Sequence, residues 1–233
     1  MKAFFSYLSN LLAHFGKYFT LHTMNTLLTR LLVVSLLAVC ASAQGAADDD
    51  YVLMVLGDSL SAAYGIDEED GWVALLDNKL RNDNWPYRVV NGSVSGETTT
   101  GGLARLPAML DSHQPDLVIL ELGGNDGLRG LPLGILKSNM LIMIALIEEQ
   151  GAEVLLTGIQ IPPNYGPRYT VPFYQLYGQL AAEKTLALVP FLIEGIPQQP
   201  ELMQNDGIHP RAEAQYMILD NVWVVLEAML QKH

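Results

Sequence analysis

One cysteine occurs in 233 residues, and it is Cys40, inside an N-terminal apolar segment. Everything after it is free of thiols, which excludes a disulfide framework, a cysteine nucleophile and a thiolate metal site there. Basic residues are scarce too: 13 Lys and Arg stand against 25 Asp and Glu, a formal net charge of −12. Lys2, Lys17 and Arg30 precede residue 44 and every acid follows residue 47, so the stretch from Gln44 onward carries ten basic and 25 acidic residues, a balance of −15. That sign argues against nucleic acid or an anionic membrane surface as a partner. The run Asp48-Asp49-Asp50 reads as a solvated lead into the first strand.

The chain also lacks an apolar run long enough to span a bilayer. Leu31 to Ala43 is thirteen residues, short of the ~20 a spanning helix needs. Arg30 precedes this run, and Cys40-Ala41-Ser42-Ala43-Gln44 supplies a small-residue Ala-x-Ala cleavage pattern, so the segment reads as a secretory signal peptide cut after Ala43. Met24 begins a better-proportioned signal than Met1 does. A lipoprotein reading of Cys40 is weakened by Val39, where a small residue is wanted. The expected organisation is an N-terminal extension and signal over 1–43 and a single domain over 44–233. The expected location is periplasmic or secreted, with no stable membrane anchor after cleavage.

What is present is an alternation of apolar strands and amphipathic helices. Tyr51–Leu56, Tyr87–Val90, Asp116–Leu122, Glu153–Ile159 and Ala187–Leu192 read as strands. Between and after them, helices are expected around Trp72–Leu80, over Thr98–Leu110 with a kink at Pro107, and over Ile135–Gln150, stopped by Gly151. Two more are expected over Val171–Leu186 and Arg211–Leu230, the last with Pro210 at its first turn. Near-continuous apolar strands separated by helices imply a parallel sheet covered on both faces. The expected fold is a three-layer α/β/α sandwich with a five-stranded, flavodoxin-like sheet. With strand order 2-1-3-4-5, the ends of strands one and three flank the switch point where ligands bind.

Both of those ends carry reactive chemistry. Gly57-Asp58-Ser59-Leu60 closes the first strand and Gly123-Gly124-Asn125-Asp126 follows the third. Far downstream, Asp206-Gly207-Ile208-His209-Pro210 puts an acid three residues before a histidine across a tight turn, where it can fix the imidazole tautomer. A serine needs such a base to become a nucleophile. Ser59 would otherwise serve as a turn or capping residue. Asn125 is suited either to a left-handed turn or to donating its amide to an oxyanion. Gly96 lets the backbone approach a substrate and offer its N–H, or simply leads into a helix capped by Ser95 or Thr98. Ser61 stands where the Gly-x-Ser-x-Gly elbow needs glycine, which argues against the α/β-hydrolase fold. No phosphate-binding glycine loop replaces Ser59. His113 and His233 have no ligand pattern around them, so no metal and no cofactor are expected.

Together these four blocks resemble the SGNH, or GDSL, hydrolases, named for a Ser, a Gly, an Asn and a His. Further blocks extend the resemblance from Tyr51 to Leu230. They are Gly57 to Tyr64, Gly101 to Pro107, Glu121 to Gly130, and Pro163-Asn164-Tyr165-Gly166. They look like the bacterial periplasmic thioesterase I, lysophospholipase and arylesterase subgroup. Two positions depart from the pattern: Glu97 stands where an aspartate is usual, and Pro162-Pro163 stiffens a loop. The resemblance implies Ser59 as nucleophile, His209 as general base and Asp206 as its orienting acid. It also implies an oxyanion hole from the Ser59 and Gly96 N–H groups and the Asn125 side chain, with Asn125→Ala slowing turnover by roughly 10².

The implied substrate is a small-molecule acyl ester or thioester, hydrolysed by a monomer. Leu128, Leu131, Leu133, Ile159, Ile161 and Tyr165 are candidates for an acyl groove, although Leu131 and Leu133 serve equally well as packing under their loop. The alternatives are a carbohydrate O-acetylesterase of the same fold and a non-catalytic flavodoxin-like binding module.

Overall fold

The computed structural model describes residues 51–232, so the leader expected over 1–43 lies outside the described residues. The described residues form one compact unit. Five strands, β1 (Tyr51–Gly57), β2 (Tyr87–Asn91), β3 (Leu117–Glu121), β4 (Glu153–Thr157) and β5 (Ala187–Val189), lie in the order β2-β1-β3-β4-β5. Every pairing is parallel. Six α-helices accompany them: α1 (Trp72–Asn82), α2 (Thr99–His113), α3 (Gly124–Leu128), α4 (Leu133–Glu149), α5 (Pro167–Lys184) and α6 (Gln215–Leu230).

The central strands are buried on both sides because each face meets helices. Alternate residues of β1 feed two separate cores, as the two-residue period of a strand requires. Leu53 and Val55 pack with Leu76 of α1 and Val222 of α6, while Met54 and Leu56 pack with Leu106 of α2 and Met140 of α4. This is the three-layer sandwich with the expected strand order. Its register sets Gly57 of β1 opposite Glu121 of β3. The two reactive turns therefore leave the sheet side by side at its carboxyl edge.

Several element boundaries differ from the sequence reading for local reasons. α5 begins at Pro167, which needs no N–H partner in the first turn, and it carries Pro172 inside it. β5 is only three residues long, since Pro190 has no N–H to continue the ladder. The last helix begins at Gln215 rather than Arg211. A single 3-10 turn, Ala212–Ala214, precedes it, and Pro210 pairs instead with Met203 in an isolated antiparallel bridge. α3 was not foreseen. Gly123, at φ 116, reverses the chain into it, so Asn125 sits in a helical turn and the left-handed residue is the glycine two positions earlier.

Candidate active site

The turn after β1 is held from behind by acids. Asp58 Oδ1 accepts from the Leu60 N–H at 3.1 Å, and its Oδ2 accepts from Asn125 Nδ2 at 3.1 Å. Glu121, at the end of β3, accepts from the Asp58 N–H at 3.1 Å and from Ser61 Oγ at 2.7 Å through the same Oε2. A side chain on Gly57 would bring its Cβ within 2.7 Å of that oxygen, so the approach requires glycine. The local capping bond of this turn thus belongs to Asp58, and the Ser59 hydroxyl is left to face His209.

His209 reaches Ser59 from a loop stretched between the bridge residues Met203 and Pro210. Its Nε2 lies 2.8 Å from Ser59 Oγ, and its Nδ1 lies 2.7 Å from Asp206 Oδ2. Asp206 Oδ1 accepts from the Ile208 and His209 N–H groups at 2.9 and 3.1 Å, with Gly207 at φ 67 making the turn. Gln204 ties this loop to the segment after Ser59 by donating to the carbonyls of Tyr64 and Pro210. The Tyr64 ring lies 4.5 Å from the imidazole, centroid to centroid.

Burial pushes the Asp58 carboxyl up to about 6, against the opposing pull of its hydrogen bonds and of His209. Burial also drives Glu121 well above the ordinary glutamate range, and the neighbouring Asp58 charge adds to it. Asp206 moves the other way. Slight burial acts to raise it, but the hydrogen bonds from the imidazole and the two backbone N–H groups outweigh that and hold it at about 2. An ionised Asp206 can only accept, so Nδ1 carries the proton toward it and Nε2 is left as the acceptor for the Ser59 hydroxyl.

Ser59 and Asn125 border a cavity of about 400 Å³. Leu128, Ile159 and Ile161 form part of its wall. Leu131 and Tyr165, read with them as substrate-binding residues, do not border this cavity. The Leu131 carbonyl instead accepts from Tyr169 at 3.0 Å, and the Tyr165 hydroxyl donates to the Leu128 carbonyl at 2.9 Å, so both brace the loop from outside. Leu133 packs against the core. The sequence reading missed the opposite wall, which comes from the segment after β5: Phe191, Ile193, Pro197 and Met203, joined by Ile208. No period marks those residues, and apolar loop positions look like core until the fold places them.

Gly96 is absent from the cavity wall and adopts φ 80 in a turn closed by the bond from Glu97 N to the Val94 carbonyl. Its carbonyl accepts from Arg129 Nη2 at 2.9 Å, which links this turn to the end of α3. Glu97 swings away to meet Arg105 Nε at 2.8 Å. Asp126 is buried and holds the start of α2 through the Thr99 N–H and hydroxyl, at 2.8 and 2.6 Å. Among the described residues no cluster of His, Cys, Asp and Glu is arranged to hold a metal.

The model of the GDSL-like lipase/acylhydrolase family matches residues 55–216, from β1 into α6. The chain belongs to that family. It is similar to Esterase TesA of Pseudomonas aeruginosa, 50% identical over 204 residues, covering 88% of this chain and 98% of that one. It is also similar to thioesterase 1/protease 1/lysophospholipase L1 of Escherichia coli strain K12, 45% identical over 170 residues, with 72% and 79% covered. Among solved structures it resembles the psychrotrophic esterase EstA from a Pseudoalteromonas species, inhibited by monoethylphosphonate. The TM-score is 0.75 at 39% identity, covering 78% of this chain and all of that one. The protein is therefore a serine hydrolase of acyl bonds on an α/β sandwich.

Proposed function

We propose that this family member is an exported esterase and thioesterase that removes acyl chains from aryl-ester, thioester or lysophospholipid substrates. Ser59 is the nucleophile, His209 the general base and Asp206 the acid that orients it. The observation that carries the reading is the unbroken line Asp206–His209–Ser59, with links of 2.7 and 2.8 Å, beside an apolar cavity. Export rests on the signal pattern over residues 31–44, with 44–233 as the catalytic domain. Among the described residues no helix is long and apolar enough to cross a membrane.

In the reaction, Nε2 of neutral His209 takes the Ser59 proton as Oγ bonds to the acyl carbon. The carbonyl π pair moves onto oxygen, where the Ser59 and Gly96 N–H groups and the second Asn125 amide hydrogen meet it. Asn125 spends its other hydrogen on Asp58, which fixes the amide plane before substrate arrives. The oxyanion pair then re-forms the carbonyl and expels the leaving alcohol or thiol, which takes the proton from His209. Water repeats the sequence, losing its proton to His209, and the acid departs as Ser59 recovers its hydrogen. Asp206 stays ionised throughout and stabilises the imidazolium.

The test is hydrolysis of p-nitrophenyl esters from acetate to palmitate by wild type and Ser59→Ala, with the mass of a phosphonate adduct as a second readout. Activity and adduct that both vanish with Ser59, and a preference for medium or long chains, are expected. A maximum at acetate would move the reading to a deacetylase. Activity surviving in Ser59→Ala would remove Ser59 as nucleophile.

A further inference from the structure

Around Ser59 the two sides of the site differ in kind. The cavity lies over the ends of β1, β3, β4 and β5, since Ser59, Asn125, Ile159 and Phe191 all border it. The Gly96 turn follows β2, the strand on the opposite flank of β1. An acyl chain lodged in the cavity therefore sends the leaving group toward the β2 side. Arg129 stands there. It sits one helical turn beyond Asn125, donating its N–H to the Asn125 carbonyl at 3.1 Å, and its guanidinium reaches across to the Gly96 carbonyl.

That guanidinium is exposed, and among the described residues it has no carboxylate within ion-pairing distance. The acids beside it in the chain and in the Gly96 turn are committed elsewhere: Glu97 to Arg105 and Asp126 to Thr99. Arginine offers five N–H donors in a fixed plane, and the Gly96 carbonyl takes one of them while holding the plane in place. In a chain of net charge −12, an unpaired cation oriented on the Gly96 turn is a feature that an alkyl or aryl leaving group does not use.

We infer that Arg129 is a specificity residue for the leaving group, receiving a phosphate carried by the alcohol or thiol that the enzyme releases. The inference rests on the reading of Ser59 as nucleophile, and it assigns one residue to recognition of the leaving side of acyl esters or thioesters that carry phosphate there. Such a phosphate belongs either to a glycerophospholipid head or to a nucleotide thiol carrier. Fork geometry matches guanidinium to phosphate oxygens. The contact exists before and during reaction, so its loss shows in KM, whereas loosening of the Gly96 turn shows in kcat.

The experiment compares wild type, Arg129→Gln and Arg129→Lys on three substrates with one acyl chain, all below their micellar concentrations. These are monolauroylglycerol (neutral), lauroyl-lysophosphatidylglycerol (one phosphodiester) and lauroyl-coenzyme A. Arg129→Gln is expected to raise KM for a phosphate-bearing substrate about fivefold to tenfold relative to the neutral one, an exposed charge-assisted contact being worth about that much. Arg129→Lys should recover part of the ratio, and 0.5 M salt should shrink it. A shift confined to the lysophospholipid or to the coenzyme A arm identifies the source of the phosphate. Equal losses on all three substrates would reduce Arg129 to a support of the Gly96 turn and overturn the inference, and so would no loss on any of them. Failure of the nucleophile reading is separable, because it appears as monolauroylglycerol hydrolysis that survives Ser59→Ala.

Discussion

Two acid systems flank the Ser59–His209 pair, and they are opposites. Behind the serine, Asp58 and Glu121 are almost wholly buried, at 2% and 0% exposure, and burial pushes both carboxyls up. Behind the histidine, the Asp206 side chain is 38% exposed, and its hydrogen bonds pull it down to about 2. The same functional group thus does two jobs. Asp206 keeps its charge across the working pH range and can stabilise an imidazolium. Asp58 and Glu121 are geometric. They set the turn that presents Ser59 and the amide of Asn125, and their charges are costly where they sit.

The largest expected effect comes from breaking the exposed side. Asp206→Asn keeps the size of the side chain but offers an amide that no longer demands the proton on Nδ1. The imidazole then settles in the wrong tautomer for accepting from Ser59. A fall in kcat of about 10³–10⁴ is expected, with KM little changed. Steady-state kinetics on p-nitrophenyl butyrate measures it. A loss below tenfold would mean that Asp206 only anchors its loop.

Breaking the buried side should register in stability first. Asp58 has a folded value of about 6 against an ordinary 3.8. Between those values the native state holds a proton that the unfolded chain has already released, so stability falls as pH rises from about 4 to about 6. At pH 7 this cost is about 3 kcal/mol. Asp206 has the reverse sign, since its stabilisation is present above about pH 4 and is lost as pH falls toward 2. Asp58→Asn should therefore flatten the pH 4–6 slope in chemical denaturation. Its gain at pH 7 is offset by about 1 kcal/mol or more, because one carbonyl cannot accept from both Leu60 and Asn125. An unchanged slope would show that Asp58 titrates as an ordinary surface acid.

The contrast also explains what could be read from the sequence. Ser59, Asn125, Asp206 and His209 stand in short blocks whose residue types announce their chemistry, and apolar runs alternating with helices implied a parallel sheet, whose strand order rested on fold analogy alone. Glu121 gave no such signal, because an acid closing an apolar strand looks like the strand meeting water. Only the register that sets Gly57 against Glu121 shows it facing inward. Leu131 and Tyr165 stand outside the cavity for a related reason. Loop direction decides which apolar side chain faces a cavity, and the reversal at Gly123 into a five-residue helix carries no periodic signature. Phe191 was read as part of the fifth strand, which Pro190 cuts short, and Ile193 follows it, so nothing in their spacing assigned them to a wall. Arg129 was visible as a residue in a block, but its partner 33 positions earlier was not.

Glu121→Gln sharpens the comparison with the smallest expected change. Both hydrogen bonds of Glu121 fall on Oε2, and Oε1 is buried with no partner among the described residues. A glutamine carbonyl in the Oε2 position keeps the bonds from Ser61 and Asp58, while its amide group replaces an oxygen that was already unpartnered. Activity should then stay within about threefold of wild type, since the turn geometry is retained. Glu121→Ala, which deletes both acceptors and opens a void behind the nucleophile, should lose far more of both activity and stability. The pair of variants separates shape from charge. If glutamine is as damaging as alanine, the buried acid works through its proton, and the division between an acid that acts by charge behind the histidine and acids that act by shape behind the serine fails.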